Sequence, residues 1–316
     1  MSNNTTVFYH WWDEPLDAQP HANLRIPIIL SIATLRAVSD VEIYVLDLSD
    51  RDWGEWCRKL NFSVIKTQAS LKKYKDKVAG WRLLSRFFDI KQLIDHSVDY
   101  KKNIMYVDSD VFFFRDPFPL MCYTKKMCIE QWNTGFFYFD RFYNQKFWDI
   151  YATYAMAAVY SEDIRQMFKK HMYYDIWQDV SDEMIVNYYM AVKHPELFNF
   201  LPYEEHATIL TIAKADLDKL KMFHSNSLMV SSAICKIEGE REHCRGLLCL
   251  VIEEFYNNIR QVLSDEDLQK IYTAKEINYY LPQSFSLLNK KNIARLLATR
   301  DDDNGLYHLS KMIEKR

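Results

Sequence analysis

Residues 104–114 read Ile-Met-Tyr-Val-Asp-Ser-Asp-Val-Phe-Phe-Phe, an apolar run interrupted by two carboxylates. Such a run fits the interior strand of a sheet covered on both faces, where an unpaired charge is costly to bury. Asp108 and Asp110 are two residues apart, so an extended backbone points both to the same side. Two acids at one sheet end suit a hard divalent cation, which offsets their mutual repulsion. The run therefore predicts a buried strand that ends in a metal site handling phosphate groups.

The residues before it set this strand in a series. Thr6–Trp11 predicts a first strand, and Pro27 opens an apolar helical segment over Ile28–Val38. Val41–Leu48 predicts a second buried strand ending at Asp47, Asp52–Leu60 a short helix, and Phe62–Thr67 a third strand. Tyr74–Asp95 carries Trp81, Leu84, Phe88 and Leu93 at helical spacing and leads into the acidic strand. Alternation of strand and helix predicts an α/β fold with a mostly parallel, doubly wound sheet. Ligands of such sheets bind beyond the carboxyl ends of the strands, which puts Asp47, Asp108 and Asp110 on one side.

Beyond Phe114, Met127–Glu130 and Phe136–Phe139 predict strands flanking Trp132-Asn133-Thr134-Gly135, and Phe147–Tyr160 and Asp182–Val192 predict helices. Leu197–Pro202 is short and extended, and Lys221-Met222-Phe223-His224 precedes a polar Ser-Asn-Ser. From about residue 235 the pattern turns helical and charged. The expected division is a catalytic domain over 1–232 and a helical region over 233–316.

Composition excludes several chemistries. Six glycines in 316 residues, against a usual share of ~7%, leave no G-x-G-x-x-G fingerprint and no phosphate-binding glycine loop. If phosphates are bound, a metal and side chains replace that cradle. A net charge of −3 indicates no nucleic-acid footprint, although Lys72-Lys73-Tyr74-Lys75-Asp76-Lys77 is locally basic. That run is read either as a solvated face or as a patch for phosphate or an acidic partner. Cys235, His243, Cys244 and Cys249 lack the paired spacing of a structural zinc site. No basic segment followed by a long apolar one opens the chain, and no stretch approaches the ~18 apolar residues of a membrane span. The expectation is a cytoplasmic protein with no transmembrane segment.

Asp108-Ser109-Asp110, preceded by Ile-Met-Tyr-Val and followed by Phe112 and Pro117, resembles the D-x-D signature of GT-A glycosyltransferases. Tyr44-Val45-Leu46-Asp47 is similar to the second strand of their glycogenin and lipopolysaccharide-galactosyltransferase group. Ser85-Arg86-Phe87 sits where that group has an arginine ahead of the acidic strand, and Asn133-Thr134-Gly135 looks like its Asn-Ala-Gly strand. Asp182-Glu183-Met184-Ile185-Val186-Asn187 resembles its Asp-Gln-Asp-x-Leu-Asn helix start, and His224 falls where it has a late metal-binding histidine. The resemblance covers roughly residues 5–230, with the motifs in the same order.

The resemblance implies a nucleotide-diphosphate sugar donor (UDP- or GDP-linked), a glycan or glycoconjugate acceptor, and Mn²⁺ or Mg²⁺. Asp108, Asp110 and His224 would ligate the metal, the imidazole favouring Mn²⁺. Asp108 and Ser109 would also meet the donor, with Arg86 on the sugar or diphosphate and Asn133 and Gly135 beside the sugar. His10, Trp11, Asp13 and Asp47 lie at strand ends where the family grips base and ribose. Asp182 and Glu183 are the catalytic pair, and here the sequence departs from the pattern: glutamine stands in that group at the position of Glu183. A carboxylate there either deprotonates the acceptor and inverts the sugar, or only hydrogen-bonds it and configuration is retained. A haloacid-dehalogenase-like phosphohydrolase, with Asp108 as nucleophile and Asp110 as acid/base, is the rival enzyme. A sugar- or nucleotide-binding protein without turnover is the rival outside catalysis.

Overall fold

The computed structural model describes residues 4–11, 25–49, 52–97, 99–118, 126–130, 134–141, 144–169, 180–208, 211, 214–224, 251 and 254–273. The expected boundary at 232/233 and the cysteines at 235, 244 and 249 lie outside these residues. The chain divides into two units: Met1–Asn23, Asp40–Asp108 and Phe118–Leu201 form the first, and Leu24–Ser39, Ser109–Pro117 and Pro202–Arg316 the second.

The first unit is built on a seven-stranded sheet. Its strands are β1 (Thr5–Trp11), β2 (Glu42–Asp47), β3 (Ser63–Lys66), β4 (Asn103–Val107), β6 (Met127–Ile129), β7 (Phe136–Asp140) and β8 (Phe198–Phe200). They lie in the order β3-β2-β1-β4-β7-β6-β8. Strands β3, β2, β1 and β4 are parallel, β7 runs antiparallel to both β4 and β6, and β8 is parallel to β6. Every residue of β1 is buried, as expected for a central strand covered on both faces. The mostly parallel α/β sheet predicted from alternation is present.

Helices of this unit are α2 (Trp56–Lys59), α3 (Trp81–His96), α4 (Gln145–Tyr160), α5 (Glu162–Lys169) and α6 (Ala191–Lys193). α3 begins later than its periodicity suggested, because Lys72–Tyr74 forms a separate 3₁₀ turn and Gly80 precedes the first helical residue. Phe87 of α3 stacks on Phe137 of β7 at 4.4 Å, and Phe137 stacks in turn on Tyr106 of β4 at 4.7 Å. This aromatic column ties the helix that carries Arg86 to the strand that leads into Asp108. Met184–Met190 winds as a π-helix, a geometry associated with functional sites.

The second unit contains α1 (Arg25–Val38) and a small sheet of β5 (Val111–Phe113), β9 (His206–Thr208) and β10 (Met222–His224), in the order β5-β10-β9. Buried hydroxyls of α1 hold β5: Ser31 donates to the Val111 carbonyl, and Thr34 Oγ1 accepts the Phe113 N–H at 3.1 Å. Asn258 donates to the Phe113 carbonyl at 2.9 Å, and Phe255 packs on Phe112 with ring centres 4.7 Å apart. α7 (Asp265–Thr273) follows, capped by a reciprocal Ser264–Asp267 pair.

One expectation fails in a useful way. The run 104–114 is not one strand: β4 ends at Val107, the chain turns through 108–110, and β5 joins a different sheet. Two carboxylates inside a covered strand would be desolvated without partners, whereas in the turn both keep partial exposure.

Candidate active site

Arg86 organises a buried cluster of side chains in the first unit. It is buried in the second turn of α3, and its Nη1 donates to Asp108 Oδ1 at 3.0 Å and to the Thr134 carbonyl at 3.3 Å. Its Nε stands 3.1 Å from Asp182 Oδ2, off line for a good hydrogen bond, and its guanidinium lies 5.1 Å from the Tyr106 ring centre. Burial disfavours the guanidinium's charge, yet Asp108 and Asp182 hold its pKa well above the ordinary arginine value. Asp182 is pushed up to about 6, chiefly by burial and further by Asp108, with Arg86 pulling the other way. Two acids thus share one buried cation.

Asp108 is held by more than its ion pair. The Tyr106 hydroxyl donates to the same Oδ1, burial pushing that phenol well above its usual range so that it stays protonated. The Asp108 N–H donates to the Gly135 carbonyl at 2.6 Å, and the Gly135 N–H donates to Glu130 Oε1 at 2.9 Å. Glu130 is fully buried and so fixes the 134–135 turn against the acidic loop.

His224 reaches the acidic loop through strand pairing. It pairs with Val111 in the antiparallel β10–β5 ladder, one residue from Asp110, and its Nε2 lies 3.2 Å from Asp110 Oδ1. One ligand atom from each of Asp108, Asp110 and His224 falls within 4.8 Å of the others. Ligands about 2.1 Å from an octahedral ion are roughly 3 Å apart when adjacent and about 4.2 Å when opposite, so the spread suits a single small cation. Two carboxylates and one imidazole are donors that could hold a divalent cation.

The remaining predicted residues divide. Ser109 lies in the turn between the two acids, and Glu183 is buried at the helix start, where its N–H donates to Asp182 Oδ1 at 2.9 Å. His10 is buried near the end of β1, with Nε2 at 3.0 Å from Asp89 Oδ2. Two of the predicted donor-site residues are buried among protein partners. Trp11 lies edge-to-face against Trp53, with ring centres 5.5 Å apart. The fully buried Asp47 accepts bonds from the Ser49 N–H, Trp53 Nε1 and Lys66 Nζ at the end of β2. Asp13 and Asn133 lie outside the described residues.

Sequence reasoning missed Tyr106, Glu130 and Asp89. Tyr106 and Glu130 stood in apolar strands and read as strand residues. Asp89 sits on the helical face shared with Ser85, and accepts the Ser85 hydroxyl at 2.9 Å and the Ser70 N–H at 2.6 Å besides facing His10. The signal for it was an acid four residues after a serine on an otherwise buried helix face.

No protein-family model and no curated protein sequence matches the chain. Solved structures do. The galactosyltransferase LgtC, in complex with donor and acceptor sugar analogues, matches with a TM-score of 0.50 and 10% identity, over 87% of this chain and 100% of that one. Mouse xyloside xylosyltransferase 1 in its apo form matches with a TM-score of 0.47 and 11% identity, over 70% of this chain and 97% of that one. At such identity the likeness is one of fold. The chain has the GT-A glycosyltransferase fold.

Proposed function

We propose that this chain transfers a sugar from a nucleotide-diphosphate sugar to a hydroxyl of a glycan or glycoconjugate, with a divalent cation at Asp108, Asp110 and His224. The observation that carries the reading is the convergence of those three side chains on a GT-A fold. Held by Asp108, Asp110 and His224, a divalent cation would supply Lewis-acid stabilisation of charge developing on a diphosphate leaving group.

The protein's own residues perform the rest. Arg86 and Tyr106 hold the Asp108 carboxylate through its Oδ1. Gly135 presents backbone without a side chain where a sugar must approach. Asp182 has one oxygen on the Glu183 N–H and the other toward Arg86, which makes it a positioning residue. Glu183, the neighbouring carboxylate, is the group we assign to the acceptor hydroxyl, taking its proton as the new bond forms. Residues 1–232 carry the donor site in this reading, and the helices beyond bind the acceptor or a second protein.

The phosphohydrolase alternative needs Asp108 as a nucleophile. The fold shared with LgtC does not favour that reading. Calorimetric titration of UDP- and GDP-sugars with and without Mn²⁺ tests the proposal. The expected result is metal-dependent binding that Asp110→Ala abolishes; absence of any nucleotide binding overturns it. Binding without turnover assigns a non-catalytic role, and anomeric proton NMR of the product separates inversion from retention.

A further inference from the structure

The basic run at residues 72–77 belongs to no part of the site described above. Lys72, Lys73, Lys75 and Lys77 are all exposed on a 3₁₀ turn and its continuation, and none meets a carboxylate among the described residues. Elsewhere in the same unit Lys66, Lys91, Lys102 and Lys146 each have an acidic partner within 3.2 Å. Cations at this density without an acidic partner among the described residues suit an anion from outside.

An aromatic pair sits within the cluster. Tyr160, at the end of α4, is 64% exposed and is among the most exposed large apolar side chains described. Its hydroxyl bonds the Tyr74 hydroxyl at 2.9 Å, and the two rings meet edge to face at 5.7 Å. Lys77 Nζ lies 5.2 Å from the Tyr160 ring centre and Lys73 Nζ 5.1 Å from that of Tyr74. With cations against both rings and the rings crossed, no flat platform is left for a stacked sugar. The positive groups of the run are all lysines, mobile point charges rather than the forked arginines that read one phosphate in fixed geometry. Lysines around tyrosines whose apolar bodies carry polar tips suit a headgroup layer, where charge is spread and the depth is half apolar.

We propose that Lys72, Lys73, Lys75 and Lys77, with Tyr74 and Tyr160, dock this protein on an anionic lipid bilayer. Topology gives the docking a consequence within the first unit. Residues 67–80 connect the carboxyl end of β3 to the start of α3, so the patch lies on the sheet edge where Asp108 follows β4. A docked molecule turns that edge toward the headgroups, where an acceptor borne on lipid would stand. The binding itself does not depend on the sugar-transfer reading.

Co-sedimentation of the full chain with vesicles tests this, using phosphatidylcholine alone and phosphatidylcholine with roughly one third phosphatidylglycerol. The protein is expected to bind only the anionic vesicles and to dissociate as salt shortens the Debye length. Each lysine near such a surface is worth about fivefold in partitioning, so Lys73→Gln/Lys77→Gln is expected to weaken binding about 30-fold. Lys72→Gln/Lys75→Gln, on the same turn, is expected to match it and guards against a folding defect in one variant. Equal binding to both vesicle types, no binding to either, or wild-type binding by both double variants overturns the proposal. Binding to soluble polyglutamate in place of vesicles also overturns it and assigns the patch to an acidic polymer.

Discussion

Replacing Arg86 by methionine removes the one buried cation between Asp108 and Asp182 while keeping most of the side chain's apolar volume. In the intact protein Asp182 already sits near 6 against an ordinary 3.8, a difference worth about 3 kcal/mol, even with Arg86 beside it. Without Arg86 that value rises further, because burial and Asp108 both push upward and nothing opposes them. An acid whose folded-state pKa is raised contributes stability that is fully present below its unfolded pKa and lost as pH climbs through the folded value. The variant is therefore expected to lose about 3–5 kcal/mol at pH 8, the usual cost of breaking a buried pair from one side. At pH 5 the loss is smaller, because Asp182 is protonated there. Urea unfolding of EDTA-treated protein at both pH values measures this, with Arg86→Met/Asp182→Asn expected to recover much of the loss. A loss that is the same at pH 5 and pH 8, or a double variant no better than the single, refutes the reasoning.

Tyr106→Phe deletes one hydrogen bond to Asp108 and is expected to cost about 1 kcal/mol of stability while weakening Mn²⁺ binding about 10–100-fold, read by calorimetry. Metal-free wild-type protein should lose stability between about pH 4 and 6 on account of Asp182, and carbon-13 NMR of that carboxyl should show its midpoint near 6. Asp89→Ala strips His10, Ser85 and the Ser70 N–H of a buried partner at once, and thermal unfolding should report a loss of about 3 kcal/mol. Glu183→Gln should lower turnover about 10²–10⁴-fold with donor affinity unchanged; a variant that keeps its rate and a retained product assigns Glu183 to hydrogen bonding alone.

Much of the fold was legible because its signals are local. The largely apolar runs at 7–11 and 43–46 satisfy their backbone groups and bury both faces in a covered sheet. The helical spacing of Trp81, Leu84 and Phe88 left α3 little choice. Where the strand boundaries erred, as at 104–114, the sequence showed hydrophobicity but not the cost of desolvating two acids, and that cost breaks the strand.

The linear chain alone supplied the residue types of the candidate site: two acids two residues apart, an arginine ahead of them and a late histidine. Which of these groups meet was decided by tertiary structure, because their distances depend on pairings between residues 22 positions apart for Arg86 and Asp108 and more than a hundred for Asp110 and His224. The β10–β5 ladder brings His224 to Asp110, and the column of Phe87, Phe137 and Tyr106 sets Arg86 on Asp108. The same packing withdrew Asp47 and Trp11 into the strand ends, since a buried carboxylate must take partners and a buried indole must fill space.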